Sequence, residues 1–314
     1  MSMPSRPLIS IVFSFRNEAG NIAEVASRIE KVFSTEPEDY EAIFVNDDST
    51  DASLDTLIQE RERNPRIRII TTARCFGVYE CIWAGMEAAS GDAVIYMDTD
   101  LQDPPEIIPQ LLSHWRAGAD VVHTVRTKRL GENPLKMWIT RQAYKLIRFS
   151  STIDLPVETG DFKLLSRRSV DRLLAMPESD PYFRGLSVWI GGTQTFVPYE
   201  RQARREGRTT RGLFSRNPCK VLVSGITSFS FLPIYLLALT ALAGLGLAVL
   251  LAIAAALFGT SAKTLGHEEF LLAIMTFFWA STIGAIAVVG IYIVRTYKDV
   301  RGRPRYIVRQ RIGL

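Results

Sequence analysis

The stretch Leu8–Ser14 is a continuous apolar run, the pattern of a strand covered on both faces. A polar loop, Arg16–Gly20, follows it, and then Ile22, Val25, Ile29 and Val32 fall at helical spacing. The cycle repeats. Glu41–Val45 reads as a second strand, Asn46–Thr50 as its loop and Ala52–Arg63 as a helix. Arg66–Thr71 reads as a third strand, followed by a helix near Val78–Ala89, and Asp92–Met97 as a fourth, ending at Asp98. Pro104 and Pro105 then open another helix, because proline is tolerated in a first helical turn. This alternation predicts an α/β fold, a mostly parallel sheet with helices on both faces. Sheets of that kind bind ligands in the crevice at the carboxyl ends of their strands.

Beyond Ser228 the pattern changes. Phe231–Gly259 and Phe270–Val294 carry no charged side chain, and each is long enough to cross a hydrocarbon core of about 30 Å as a helix. Arg201, Arg204, Arg205, Arg208, Arg211, Arg216 and Lys220 precede the pair; Arg295, Lys298, Arg301, Arg303, Arg305, Arg309 and Arg311 follow it. The positive-inside rule then places both flanks in the cytoplasm and the short Thr260–Glu269 loop outside. The expected organisation is a cytoplasmic domain over residues 1–200 and a basic juxtamembrane segment over 201–230. Spanning helices over 231–259 and 270–294 follow, joined by the outside loop over 260–269, and a basic cytoplasmic tail covers 295–314.

Met1–Pro7 has no apolar h-region, so no cleavable signal peptide is expected. The net charge of +4 says less than this distribution. The basic runs flank apolar spans and lack interleaved aromatic platforms, which argues against nucleic acid as a partner and for the bilayer. Cys75, Cys81 and Cys219 show no Cys-x-x-Cys pairing, the usage of a reducing compartment.

Candidate chemistry gathers at the strand ends. In Asp98-Thr-Asp100-Leu-Gln102-Asp103, residues two apart in extended backbone point the same way, so Asp98 and Asp100 face one pocket, with Gln102 next along. Hard oxygens in that arrangement suit Mg²⁺ or Mn²⁺, which bridges to substrate phosphates. Asp103 directly precedes the prolines and reads as a helix cap. In Asn46-Asp47-Asp48-Ser49-Thr50-Asp51, Asp47 is the candidate for a nucleobase or ribose, and Asp51 reads as a cap. Glu18 is open to two readings, a donor contact or a satisfied loop carboxylate.

Ser10-Ile-Val-Phe-Ser-Phe-Arg-Asn-Glu18, Phe44-Val-Asn-Asp-Asp-Ser-Thr-Asp51 and Asp98-Thr-Asp-Leu-Gln-Asp-Pro-Pro-Glu106 resemble the family 2 glycosyltransferases. Thr159-Gly-Asp-Phe-Lys-Leu-Leu-Ser-Arg167 and Gly225-Ile-Thr-Ser-Phe-Ser230 narrow the likeness. They resemble the polyprenyl-phosphate glycosyltransferases related to dolichol-phosphate mannose synthase, especially the bactoprenol glucosyltransferase branch.

The resemblance implies a GT-A (Rossmann-like) domain followed by two C-terminal transmembrane helices in a bacterial inner membrane. It implies inverting transfer of a sugar from a nucleotide-diphosphate donor, UDP-glucose first, to undecaprenyl or another polyprenyl phosphate for envelope glycans such as lipopolysaccharide. Galacturonate, aminoarabinose, N-acetylhexosamine and mannose stay open as the sugar. Carried over by residue, Glu18, Asp47 and Asp98 contact the donor, while Asp98, Asp100 and Gln102 hold the metal and diphosphate. Asp161 sits with Asp100 at the catalytic centre, and a homo-oligomer, a tetramer, is implied as well.

Two departures bear on the donor: Asn46 and Asp48 stand where the family has Asp and Gly, and Arg74-Cys-Phe-Gly77 stands for Arg-Asn-Phe-Gly. Asp tolerates turn conformations, so the first loop is expected to survive.

A lipid phosphate is anionic at neutral pH and needs little help from a base. Asp161 is thus left three roles: removing a residual proton, orienting the acceptor, or stabilising positive charge at the anomeric carbon. Arg126, Lys128, Arg129, Arg201 and Arg204 are the candidates for the acceptor phosphate. Asn133–Phe149 reads as an amphipathic helix suited to the membrane interface. A processive polysaccharide synthase would carry Gln-x-x-Arg-Trp and more spanning helices, and this chain has neither. An inactive membrane scaffold finds support only in the altered Asn46–Asp48 loop.

Overall fold

The computed structural model describes residues 6–129, 159–202, 224–258 and 267–314, with 142, 145, 149–151 and 153. Eight strands form one sheet in the order β7-β5-β6-β4-β1-β2-β3-β8. They are β1 (Leu8–Phe15), β2 (Asp39–Asn46), β3 (Ile67–Thr72), β4 (Ala93–Asp98), β5 (Val121–Arg129), β6 (Thr159–Ser166), β7 (Gln194–Arg201) and β8 (Val308–Ile312). The block β4-β1-β2-β3 is parallel, as the alternating pattern predicts, and β7 pairs in parallel with β5. β6 runs antiparallel to both β4 and β5.

Helices cover both faces. Alternate residues of β1 divide between them: Ile9, Ile11 and Phe13 pack with Ile22, Val25 and Ile29 of α1 (Ala19–Phe33), Leu57 of α2 (Ser53–Arg63) and Leu111 of α4 (Ile108–Arg116). Val12 faces the other side, with Ile82 and Trp83 of α3 (Val78–Ala88), Val170 of α5 (Arg167–Leu174) and Phe183 of α6 (Phe183–Trp189). A strand sandwiched in this way has no solvent face, so its sequence is apolar except at Ser10 and Ser14, whose hydroxyls bond to Glu41 and Tyr96.

Two long helices follow, α7 (Leu232–Phe258) and α8 (His267–Val300). Leu232–Leu250 and Ile274–Val300 are long and apolar enough to cross a membrane, and almost nothing in them is buried within the protein. They meet at Gly244, where a Cβ would come within 2.4 Å of the Phe278 ring.

The segment 295–314, expected as a tail, is built into the fold instead. α8 continues to Val300, and β8 adds antiparallel to β3 as the last strand of the sheet. Its sequence VRQRI carries the basic alternation of an edge strand with little burial, so composition hides it. Arg295 ties α8 to the α/β domain: it donates to Thr227 Oγ1 (2.6 Å), Ser228 Oγ (2.8 Å) and the Asp180 carbonyl (3.1 Å). Lys298 pairs with Asp180, and Ser179 N donates to Asp299 Oδ1 at 2.8 Å. The expected interfacial helix Asn133–Phe149 falls almost wholly outside the described residues, as does the basic segment from 203 to 223.

Candidate active site

Parallel register brings the carboxyl ends of four strands level: Ser14 lies beside Asp98, Phe15 beside Asn46, and Asn46 beside Thr71. The positive-φ residues other than glycine, among those described, are Asn17 (57°), Asp48 (54°) and Leu101 (56°), one just past each of β1, β2 and β4. That conformation costs energy in an L residue and persists only where neighbours enforce it. Here the neighbours are each other's loops. Asn17 N donates to Ser49 Oγ (3.0 Å), and Thr50 N donates to Asn17 Oδ1 (2.8 Å). Leu101 is buried, so an apolar side chain anchors the turn between Asp100 and Gln102.

Asp47, expected at the nucleotide, is buried with its carboxylate engaged. It accepts from Phe76 N (2.7 Å), Gly77 N (3.0 Å) and Cys75 Sγ (3.2 Å), so it organises the loop between β3 and α3. Gly77 has φ +123°, a conformation L residues rarely adopt. Glu18 Oε2 accepts from Asn21 Nδ2 at 2.6 Å. Asp51, expected as a cap, lies one residue ahead of the N-cap position of α2, which is Ala52 with no side-chain cap; its Oδ1 accepts from Ser53 N at 3.0 Å in the turn before the helix.

The acidic centre forms where β4 meets β6. Tyr96 lies opposite Lys163 at the last paired position, and Asp98 and Asp161 each lie two residues beyond it toward the rim, near enough for the charge of Asp161 to act on Asp98. Tyr96 Oη donates to Asp98 Oδ1 at 2.7 Å. Burial, followed by the charges of Asp100, Asp103 and Asp161, pushes the Asp98 carboxyl up to about 7. Asp100 Oδ1 accepts from Gln102 N at 3.2 Å.

Asp161 has the opposite fate. Arg184 of α6 clamps it with two parallel bonds, Nε to Oδ1 and Nη2 to Oδ2, both 2.8 Å. Burial works to raise its pKa, but the charge and hydrogen bonds of Arg184, helped by Lys163 and Arg126, hold it at about 2. Lys163 lies beneath, donating to Ser187 Oγ at 2.8 Å over the Phe183 ring; burial lowers its pKa to about 7 against the pull of Asp161.

Asp103 does not cap the following helix, contrary to expectation. The first turn after it, Pro105–Ile107, starts at Pro104 with no side-chain cap. Asp103 is instead a buried counter-ion. Tyr199 Oη donates to its Oδ1, Arg126 Nη2 lies 3.7 Å from its Oδ2, and Arg201 Nε lies 3.4 Å from its Oδ1. Arg126 Nε also donates to Tyr199 Oη at 3.0 Å. These partners come from β5 and β7, which no local pattern could reveal. Arg126 runs over Gly160, where a Cβ would come within 2.9 Å of its Nη2. The acidic loop is also tied to β7, since Gln202 N donates to the Gln102 carbonyl at 3.0 Å.

Arg126 and Arg201 therefore come together at this rim. Lys128 and Arg129 lie on β5, with Arg129 paired to Arg201, but their side chains fall outside the described residues, as does Arg204. Tyr96 and Lys163 were within reach of sequence reasoning, each two residues from an acidic site residue on the same face of its strand. Arg184 had no such signal.

The residues suit a divalent cation of a particular kind. Among the described residues, no three His, Cys, Asp or Glu side chains converge as a metal cage. Unlike Asp103 and Asp161, however, Asp98 is met by a hydroxyl rather than a guanidinium. Two carboxylates and an amide carbonyl fit an ion that completes its shell from substrate phosphate oxygens.

Residues 10–174 match the family model described as glycosyl transferase family 2. The chain is 36% identical over 307 residues to an uncharacterized glycosyltransferase of Bacillus subtilis, covering 97% of this chain and 94% of that one. It is 33% identical over 309 residues to the bactoprenol glucosyl transferase of Shigella phage SfII, covering 96% and 97%. Glucosyl-3-phosphoglycerate synthase from Mycobacterium tuberculosis, solved with Mn²⁺, UDP-glucose and phosphoglyceric acid, is similar with a TM-score of 0.50 at 20% identity, over 71% of this chain and 79% of that one. That likeness agrees with a GT-A-type sheet in the first domain. An acidic rim on such a sheet, a family match over more than half the chain and relatives along nearly all of it converge: the protein is a glycosyltransferase and belongs to glycosyl transferase family 2.

Proposed function

We propose that this enzyme transfers a sugar, glucose from UDP-glucose as the best fit, to a polyprenyl phosphate such as undecaprenyl phosphate at the cytoplasmic face of the membrane. The observation that carries the reading is the joint where Arg295, Lys298 and Asp299 meet Asp180 and Ser179, which fixes a membrane-length helix to the domain that bears the acidic rim. A relative along nearly the whole chain named for bactoprenol glucosyl transfer supports the acceptor and sugar, and the basic flanks of both spans support the cytoplasmic side.

In this reading Asp98, Asp100 and Gln102 hold Mg²⁺ or Mn²⁺ against the donor diphosphate. The bound cation would offset the charge that develops on the departing nucleotide diphosphate. The protein's own groups do the rest. Asp47 shapes the donor loop through Phe76 and Gly77, with Glu18 at its edge.

Asp161 stays ionised because Arg184 holds it there. A general base works best with a pKa near the working pH, and about 2 is far below it. The acceptor phosphate carries its own negative charge, so we assign Asp161 the task of facing positive charge at the anomeric carbon as the bond to the donor breaks. In this reading Arg126 and Arg201, which Asp103 holds at one rim, take the acceptor phosphate.

The test is transfer from a panel of radiolabelled nucleotide sugars to undecaprenyl phosphate, with and without Mn²⁺, in wild type and Asp100→Ala. Metal-dependent labelling of the lipid, lowered at least about 100-fold by the substitution, is expected. Full activity in Asp100→Ala overturns the metal assignment, and wild type that labels no lipid overturns the acceptor.

A further inference from the structure

The strand β8 follows the second membrane helix in sequence, and it begins on the donor side of the active site. It pairs antiparallel with β3, so its first residues lie at the carboxyl end of that strand. The pairing slips there: Thr71 faces Gln310 while Thr72 faces Val308, which leaves Arg309 as the extra residue of a bulge. Bulges re-aim side chains. This one sends the Arg309 guanidinium across the end of β3, where Nη2 donates to Asp48 Oδ1 at 2.7 Å and to the Ala73 carbonyl at 2.9 Å. Ala73 N in turn donates to the Ile307 carbonyl at 2.8 Å.

Both ends of this contact belong to the donor rim. Asp48 is the left-handed residue, φ 54°, that stands where the family's loop has glycine, and its neighbour Asp47 holds Phe76 and Gly77. Ala73 opens the loop that leads to those same residues. The pair is too exposed, at 55% for Arg309 and 31% for Asp48, to contribute much to stability. Its consequence is where it fixes the chain.

We propose that Arg309 is a positioning residue of the donor site: through Asp48 and Ala73 it braces the loops after β2 and β3 in the form that binds a nucleoside diphosphate. The C-terminal strand is then part of the donor site. The inference rests on the nucleotide-sugar reading above.

The experiment uses the full-length enzyme in detergent, UDP, GDP and ADP as calorimetric probes, and transfer kinetics to undecaprenyl phosphate. Arg309→Gln should weaken nucleotide binding and raise the donor KM by about five- to tenfold, while kcat changes less than about threefold and the KM for the lipid stays put. Asp48→Asn, which tolerates the same backbone conformation, should do the same. Because the two residues act as one pair, the double variant should be no worse than either single, and Arg309→Lys should recover part of the loss.

Nucleotide binding by Arg309→Gln within about twofold of wild type overturns the brace while leaving the nucleotide-sugar reading intact. So does an equal loss toward the lipid, or losses that multiply in the double variant. Wild type that binds none of the three nucleotides overturns both.

Discussion

At Asp161, burial and charge pull against each other. Its side chain is 17% exposed, as is that of Arg184, so the pair is largely desolvated and the two-pronged geometry is what makes it tolerable. The sign of the pH effect follows. A pKa of about 2 in the folded protein, below an unfolded value of about 3.9, means that this carboxylate contributes stability above about pH 4 and loses it as pH falls toward 2. Across the pH range where the enzyme would be assayed, Asp161 is ionised and adds no acid limb to the rate. Arg184→Gln removes the opposing charge and leaves burial to raise the pKa. The expected result is a kcat at least about 100-fold lower at pH 6, with a new limb along which activity rises with pH. Profiles of kcat from pH 5 to 8.5 for both proteins check this; parallel curves would show that Arg184 serves the fold and leaves the charge on Asp161 unaffected. Arg184→Lys keeps the charge but loses the fork, and should fall between the two.

At the scale of elements, the parallel core was legible because its physics is local. A strand covered on both faces must be mostly apolar, and β1 to β4 appear within one or two residues of where the pattern placed them. The place of the acidic loop was legible for the same reason: Asp98 ends β4, Asp100 follows in the bend just beyond it, and Asp48 accepts the left-handed turn of its own loop. What escaped depends on contacts between distant segments. Asp103 looks like a cap until β5 and β7 bring Arg126 and Arg201 to it, and VRQRI looks like a tail until β3 offers it an edge. The packing of α3 on β1 gives a test of how tightly the core is filled. Gly85→Ala should gain up to about 1 kcal/mol from helix propensity. Its new Cβ, however, would lie 2.2 Å from Val12 Cγ1, in a buried contact with no room to yield. Overpacking of that kind costs about 1–3 kcal/mol, so net destabilisation is expected, read as a lowered thermal midpoint. An unchanged or raised midpoint would mean that α3 shifts freely on the sheet.

For the whole molecule, the proposed reaction raises the question of how a water-soluble donor and a bilayer-bound acceptor would come to share one centre. α8 ends not in a free tail but in a series of attachments: Arg295 to the residues before α7 and to Asp180, Lys298 to Asp180, Asp299 to Ser179, and Arg305 over the Trp83 ring. A partly buried guanidinium with that many partners holds the end of α8 against the α/β domain. Remote attachment of this sort matters because a small misplacement of a reacting group lowers rate steeply. Arg295→Met keeps the apolar stem of the side chain and removes the donors. Nucleotide binding, assigned above to the loops after β2 and β3, should change by less than about twofold, and hydrolysis of the donor by water should persist. Transfer to undecaprenyl phosphate in reconstituted vesicles should fall by at least about tenfold, most of it in kcat because the lipid still reaches the membrane surface. If transfer and hydrolysis fall together, Arg295 merely stabilises the domain. If transfer alone falls, the joint sets where the sugar and the lipid phosphate meet.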